Sequence, residues 1–111
     1  MYQNIFDTHS HYTDAAFDAD REQVLASLPE KGVSHAMLAA CNLEDSSACI
    51  QLAQQHADLL YASVGIHPEA EGTQPADYLQ QLAELAAADC VKAIGEIGMD
   101  YHYEAVSYTH L

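Results

Sequence analysis

The 111-residue chain is 50% hydrophobic and 18% charged, a composition suited to one folded domain rather than to a disordered or fibrous protein. No apolar run approaches the ~20 residues that cross a bilayer, and the start, Met1 to Asp7, lacks a basic segment followed by an apolar one, so the reading is a cytoplasmic protein without membrane association. Seventeen acidic and three basic residues give a net charge of −14, a field that repels nucleic acid at long range. It excludes an extensive basic DNA-binding track but not a short contact at a strand end.

The predicted elements alternate along the chain. Ile5-Phe6-Asp7 reads as a first strand running into Asp7-Thr8-His9-Ser10-His11. A helix is expected from about Asp18 to Lys31, with Val24, Leu25 and Leu28 on one face, Asp18 as its cap and Gly32 in the left-handed position past its end. Val33 to Ala40 is short and apolar enough for a buried strand, and Asn42 to Ala57 follows with helical spacing of Ile50, Leu52, Ala53 and Ala57. Leu60 to Val64 is a third strand, ended by Gly65-Ile66-His67-Pro68. Thr73-Gln74-Pro75 looks like a helix start, with Leu79, Leu82, Leu85 and Ala86 forming a stripe as far as Asp89. Val91 to Ile97 is a fourth strand.

A β-α-β-α-β-α-β order implies parallel strands joined by crossover helices. A doubly wound sheet and half of a (β/α)₈ barrel both fit, because a complete barrel needs ~250 residues. Cys41, Cys49 and Cys90 are odd in number and lack CxxC spacing, so they read as small buried hydrophobes in a reducing compartment.

Three segments carry candidate chemistry. In His9-Ser10-His11, residues two apart on a strand share a face and can hold one divalent ion. Asp7 shares their side and could orient a ring from behind. In Gly95-Glu96-Ile97-Gly98-Met99-Asp100-Tyr101-His102, a carboxylate ends an apolar strand between two glycines, and a buried glutamate needs a partner or a metal. Gly65-Ile66-His67-Pro68-Glu69 places another histidine past a strand end. Taken singly, the first segment reads better as two surface histidines, and the other two read equally well as solvated strand-end residues. Together they all fall at carboxyl ends of parallel strands, the rim on which barrel active sites form.

The order and spacing of FDTHSHY, YASVGIHPE and KAIGEIGMDYH, from Ile5 to His102, resemble the TatD family of metal-dependent hydrolases. Met99 stands where that family commonly has leucine, a volume-conserving change. The resemblance implies the amino-terminal half of a (β/α)₈ TIM barrel over residues 1–103, with 104–111 an unpatterned tail. It implies hydrolysis of DNA phosphodiester bonds by two divalent cations of the magnesium, manganese or zinc kind. Such cations ~4 Å apart clamp a phosphate and acidify water. His9 and His11 would bind the first cation, Glu96 would bridge both and serve as the catalytic carboxylate, and Asp7 would support the ligands. His67, Asp100 and His102 would face the substrate. The family also uses two histidines and an aspartate from later strands. No segment here matches them, and the tail histidine His110 is no substitute.

The expectation is therefore a truncated chain, inactive alone, with DNA as the substrate of the whole enzyme and no stable protein partner. The competing expectations are a related barrel amidohydrolase acting on a small amide or lactone, and a non-catalytic fragment. Lone His35 and His56 read as structural or surface residues. Ligating imidazoles must be neutral, so metal binding should weaken as pH falls through ~6.5.

Overall fold

The structure, a computed structural model, describes residues 1–70 and 72–101. Four strands, β1 (Ile5–Ser10), β2 (Val33–Leu38), β3 (Leu60–Val64) and β4 (Val91–Ile94), form one parallel sheet in the order β1-β2-β3-β4. Sequential neighbours with helical crossovers are the expected outcome of the alternating pattern. The connecting helices are α1 (Arg21–Ser27), α2 (Leu43–Gln55) and α3 (Tyr78–Ala86).

The core lies between sheet and helices. Leu25 and Leu28 from the first crossover, Cys49, Ile50, Leu52 and Ala53 from α2, and the outward-facing Ala36, Leu38, Leu60, Ala62 and Val64 are all buried there. Alternate residues point the other way. Phe6, His35 and Tyr61, from three successive strands, stack with ring centroids 5.8 to 5.9 Å apart. β1 and β3 are two strand spacings apart, roughly 9.6 Å in a flat sheet, yet Phe6 and Tyr61 are 5.9 Å apart at their rings. The sheet therefore curls with this face inward, as a segment of barrel wall does. His35 is thus structural, and His56 pairs with Glu22 at 3.0 Å across the ends of α2 and α1.

Element ends depart from the sequence expectation in four places. α1 stops at Ser27 because Pro29 follows within two residues and cannot continue the ladder; Pro29–Lys31 form a 3-10 turn closed by Gly32 at φ 91°. Asp18 does not cap that helix but binds Arg21 at 2.7 Å. α3 begins at Tyr78 and not at Thr73, because Gln74 turns back to accept the Leu43 amide at 3.2 Å. β4 ends at Ile94; the Gly95 amide still bonds β3, but the Glu96 amide turns to the Ala40 carbonyl past β2. The expected tail, Glu104 to Leu111, lies outside the described residues, as do His102 and His110.

Candidate metal centre

The rim is assembled by backbone and hydroxyl bonds that tie the four strand ends together. Ser10 ends β1 buried, its hydroxyl donating to the Met37 carbonyl at 2.8 Å, and the Ala39 amide donates to the Ser10 carbonyl at 2.8 Å. These bonds hold the His9–His11 turn against the end of β2. Asp7 accepts the His9 backbone amide at 3.1 Å, so it supports that turn through the main chain and not through a ring. Behind the turn, Arg21 donates to the carbonyls of Tyr12 at 2.6 Å and Asp14 at 3.0 Å.

Glu96 starts three strands away, roughly 14 Å in a flat sheet. Two features close the gap. One is the curl of the wall. The other is a crossing: after β4 the chain passes over the end of β3, with Gly95 donating to the Val64 carbonyl at 2.9 Å and Glu96 donating to the Ala40 carbonyl of the β2 end at 2.6 Å. The crossing runs directly over Gly65, where a Cβ would stand 2.5 Å from the Gly95 carbonyl carbon. Ser63, buried on β3, ties both sides, accepting the Ala40 amide at 3.1 Å and directing its hydroxyl at the Leu38 and Gly95 carbonyls at 2.9 and 3.1 Å. The glycine that permits close approach is therefore Gly65 and not Gly95, which has open space at its Cβ; Gly98 supplies a positive φ of 123°.

The result brings three predicted residues together. His9 Nε2 lies 3.1 Å from His11 Nε2 and 3.5 Å from Glu96 Oε1, and His11 Nε2 lies 4.0 Å from Glu96 Oε2. One donor atom from each falls within 4.8 Å of the others. Donors ~2.1 Å from one tetrahedral ion are about 3.4 Å apart, so the spacing fits a shared cation. His11 Nδ1 faces the Ala39 carbonyl at 3.2 Å. A carbonyl only accepts, so Nδ1 holds the proton and Nε2 presents a lone pair, the arrangement metal-binding histidines use.

His67 has the opposite polarity. Its Nδ1 accepts the Glu69 amide at 2.9 Å, which leaves the proton on Nε2 as a donor. His67 lines a cavity of about 600 Å³ together with His11, Cys41, Asp14, Glu69 and Glu96. Asp100 sits half-buried beyond Gly98 and is not part of the His9–His11–Glu96 group.

Cys41 was not expected here. Residue type predicts all three cysteines in the core; Cys49 is there, but Cys41 is only half-buried and its thiol donates to Glu96 Oε2 at 3.3 Å. Burial first, then the Glu96 bond and charge, and then Asp45 push the Cys41 thiol up to about 12. The signal was available, since Cys41 stands just past the end of a strand, as do His11, His67 and Glu96.

A parallel sheet curled around an aromatic inner face, with two imidazoles and a carboxylate converging on its carboxyl-terminal rim, is the wall of a β/α barrel that carries a candidate metal site. Residues 6–110 match the family described as TatD related DNase, and the chain belongs to that family. It is 34% identical over 98 residues to the 3′-5′ ssDNA/RNA exonuclease TatD of Pectobacterium carotovorum subsp. carotovorum (strain PC1), covering 88% of this chain and 38% of that protein. It is 29% identical over 100 residues to YabD of Bacillus subtilis (strain 168), described as an uncharacterized metal-dependent hydrolase, covering 90% and 39%. Among solved structures, the TatD homolog YJJV of Escherichia coli K12 superposes with a TM-score of 0.84 at 29% identity, over 96% of this chain and 41% of that one. A TatD family hydrolase of Entamoeba histolytica gives 0.78 at 27% identity, over 91% and 39%. The fold is thus that of the amino-terminal half of a TatD-type TIM barrel, and the chain spans about two fifths of the length of these relatives.

Proposed function

We propose that this chain carries part of the divalent-metal site of a nuclease that hydrolyses phosphodiester bonds at the end of a DNA strand. The observation that supports it most is the convergence of His9, His11 and Glu96 with the His11 lone pair turned to the shared position. Glu96 directs one carboxylate oxygen towards each histidine, which suits a ligand of the cation they share; its bridging to a second cation is what the family resemblance implies. Imidazole with carboxylate fits zinc or manganese, and magnesium where water completes the shell. Cations held there would supply charge neutralisation at a phosphate and a lowered pKa for water. His67, with its proton on Nε2, would donate to a phosphate oxygen, and Asp100 and His102 would line the same rim. Asp7 would hold the His9–His11 turn in place.

Within this chain, contact would be confined to a strand end, because it supplies no cations for a longer track. Arg21 is committed to the loop behind His11, and the rim cavity is lined by Asp14, Glu69 and Glu96. The 3′-5′ exonuclease described for the Pectobacterium relative acts on single strands, in keeping with this reading. The same acidic lining favours a second reading, hydrolysis of a small neutral amide.

Titration calorimetry with manganese or zinc tests the site. The 111-residue chain should take up metal, and His9→Ala or Glu96→Ala should weaken uptake at least tenfold. Uptake unchanged in both variants refutes the assignment. Metal-loaded chain should also bind a nucleoside monophosphate more tightly than the uncharged nucleoside; no preference, with a small amide bound instead, would favour the second reading.

A further inference from the structure

We propose that Cys41 is a positioning residue for Glu96: its S–H donates to one carboxylate oxygen and leaves the other turned towards His9. This rests on the reading of Glu96 as a metal ligand. The sulfur lies 3.3 Å from Glu96 Oε2, while Oε1 is the oxygen 3.5 Å from His9 Nε2. A carboxylate only accepts, so the thiol is the donor, and the bond restricts rotation of a side chain otherwise free about its last torsion.

The sulfur is itself fixed in place. The Cys41 amide donates to Asp45 Oδ2 at 3.0 Å, and its carbonyl accepts the His67 amide at 2.7 Å. Asp45 is in turn bound by the Thr13 hydroxyl at 2.7 Å and lies in the first turn of α2, its amide capped by Asn42. Cys41 therefore sits on a scaffold joined to the ends of β1 and β3 and aims its donor at the segment after β4. It is the contribution of β2 to a rim on which each of the other three strands already supplies a group.

Cobalt and manganese binding to the 111-residue chain test this. Cys41→Ala should weaken metal affinity about tenfold, the usual consequence of removing a group that orients a ligand. Cys41→Ser, which restores a donor, should recover it to within about threefold, and Cys41→Val, which keeps volume without a donor, should not. Circular dichroism on every variant confirms folding, and Ser against Val decides the matter if Ala fails to fold. The cobalt complex of the parent should show no sulfur-to-metal charge-transfer band.

Affinity unchanged in both Ala and Val, or no recovery in Ser, overturns the proposal. So does a charge-transfer band that disappears in Cys41→Ser, which would make the sulfur a direct ligand. Glu96→Ala separates the two levels. If it alone abolishes binding while the Cys41 variants bind like the parent, the site stands and the positioning role falls. If Glu96→Ala also binds like the parent, the site reading itself has failed.

Discussion

Gly65→Ala isolates the crossing that carries Glu96 to the histidines. The new Cβ would lie 2.5 Å from the Gly95 carbonyl carbon, 2.6 Å from its oxygen and 2.7 Å from the Glu96 oxygen, where ordinary contact is 3.4 to 4 Å. All three are backbone atoms, so no rotamer change relieves the clash. Gly65 itself cannot retreat, because the buried Ser46 hydroxyl bonds both its amide and its carbonyl, at 3.2 and 3.4 Å. The segment after β4 must lift by about 1 Å, an overpacking strain of roughly 1–3 kcal/mol. At this chain length that lowers Tm by about 4–8 °C per kcal/mol. The effect on the site should exceed the effect on stability. Metal sites tolerate ligand displacements of ~0.2 Å, so a lift of ~1 Å takes Glu96 out of range and should weaken metal binding at least tenfold. Thermal melts with and without manganese read both quantities, because a metal that binds only the folded chain raises Tm. The parent should show the rise; Gly65→Ala should melt lower and show little of it. A variant that melts lower yet keeps the full metal-induced rise would refute the claim that this crossing sets the position of Glu96.

Two further outcomes follow from interactions away from the ligands. Arg21→Ala frees the carbonyls of Tyr12 and Asp14 and the Asp18 carboxylate from a charged donor, which should cost about 1–3 kcal/mol and speed amide exchange at Asp14, whose amide donates to His11. Arg21→Lys should not rescue it, because a point charge cannot span all of these acceptors; full rescue in the urea midpoint would contradict this. Burial above all, with Asp45 adding to it, raises the Cys49 thiol from 9.0 to about 12. The unfolded chain sheds this proton first, so stability from Cys49 is intact below pH 9 and falls as pH rises towards 12. Denaturation between pH 8 and 11 should show a shallower decline in Cys49→Ala than in the parent, and equal slopes would disprove the contribution.

The order of elements was legible because hydrophobic spacing is a local property. Leu60–Val64 was read to the residue, since its apolar run is bounded on both sides by turn residues. Helix ends were less legible because competing local bonds decide them: Pro29 truncates α1, and Gln74 is drawn to the start of α2. His9, His11 and Glu96 could be read from strand ends, because β-strand alternation and barrel geometry both constrain that position. The role of Gly65 could not, since it depends on a chain segment thirty residues later passing overhead. Cys41 was misread for a different reason. Cysteine is so often a core residue that its type outweighed its position, although the strand-end rule that found His67 points to it equally.

Electrostatics and geometry together limit what the rim can recognise. The net charge of −14 leaves three basic side chains. Arg21 is spent on the loop behind His11. Lys31 lies in the turn leading into β2, at the amino end of the sheet and so opposite the rim, and Lys92 lies within β4. On the proposed reading, attraction of this chain for an anion would arise at the rim, from cations gathered by His9, His11 and Glu96 and from the Nε2 proton of His67. Such a field is short-ranged, because surrounding acids and salt screen it within ~10 Å. Within this chain such a field would suit a single phosphate and is too short for a backbone track of many nucleotides. On the proposed nuclease reading, the acidity of this two-fifths of the barrel restricts its own contact with a strand to the rim.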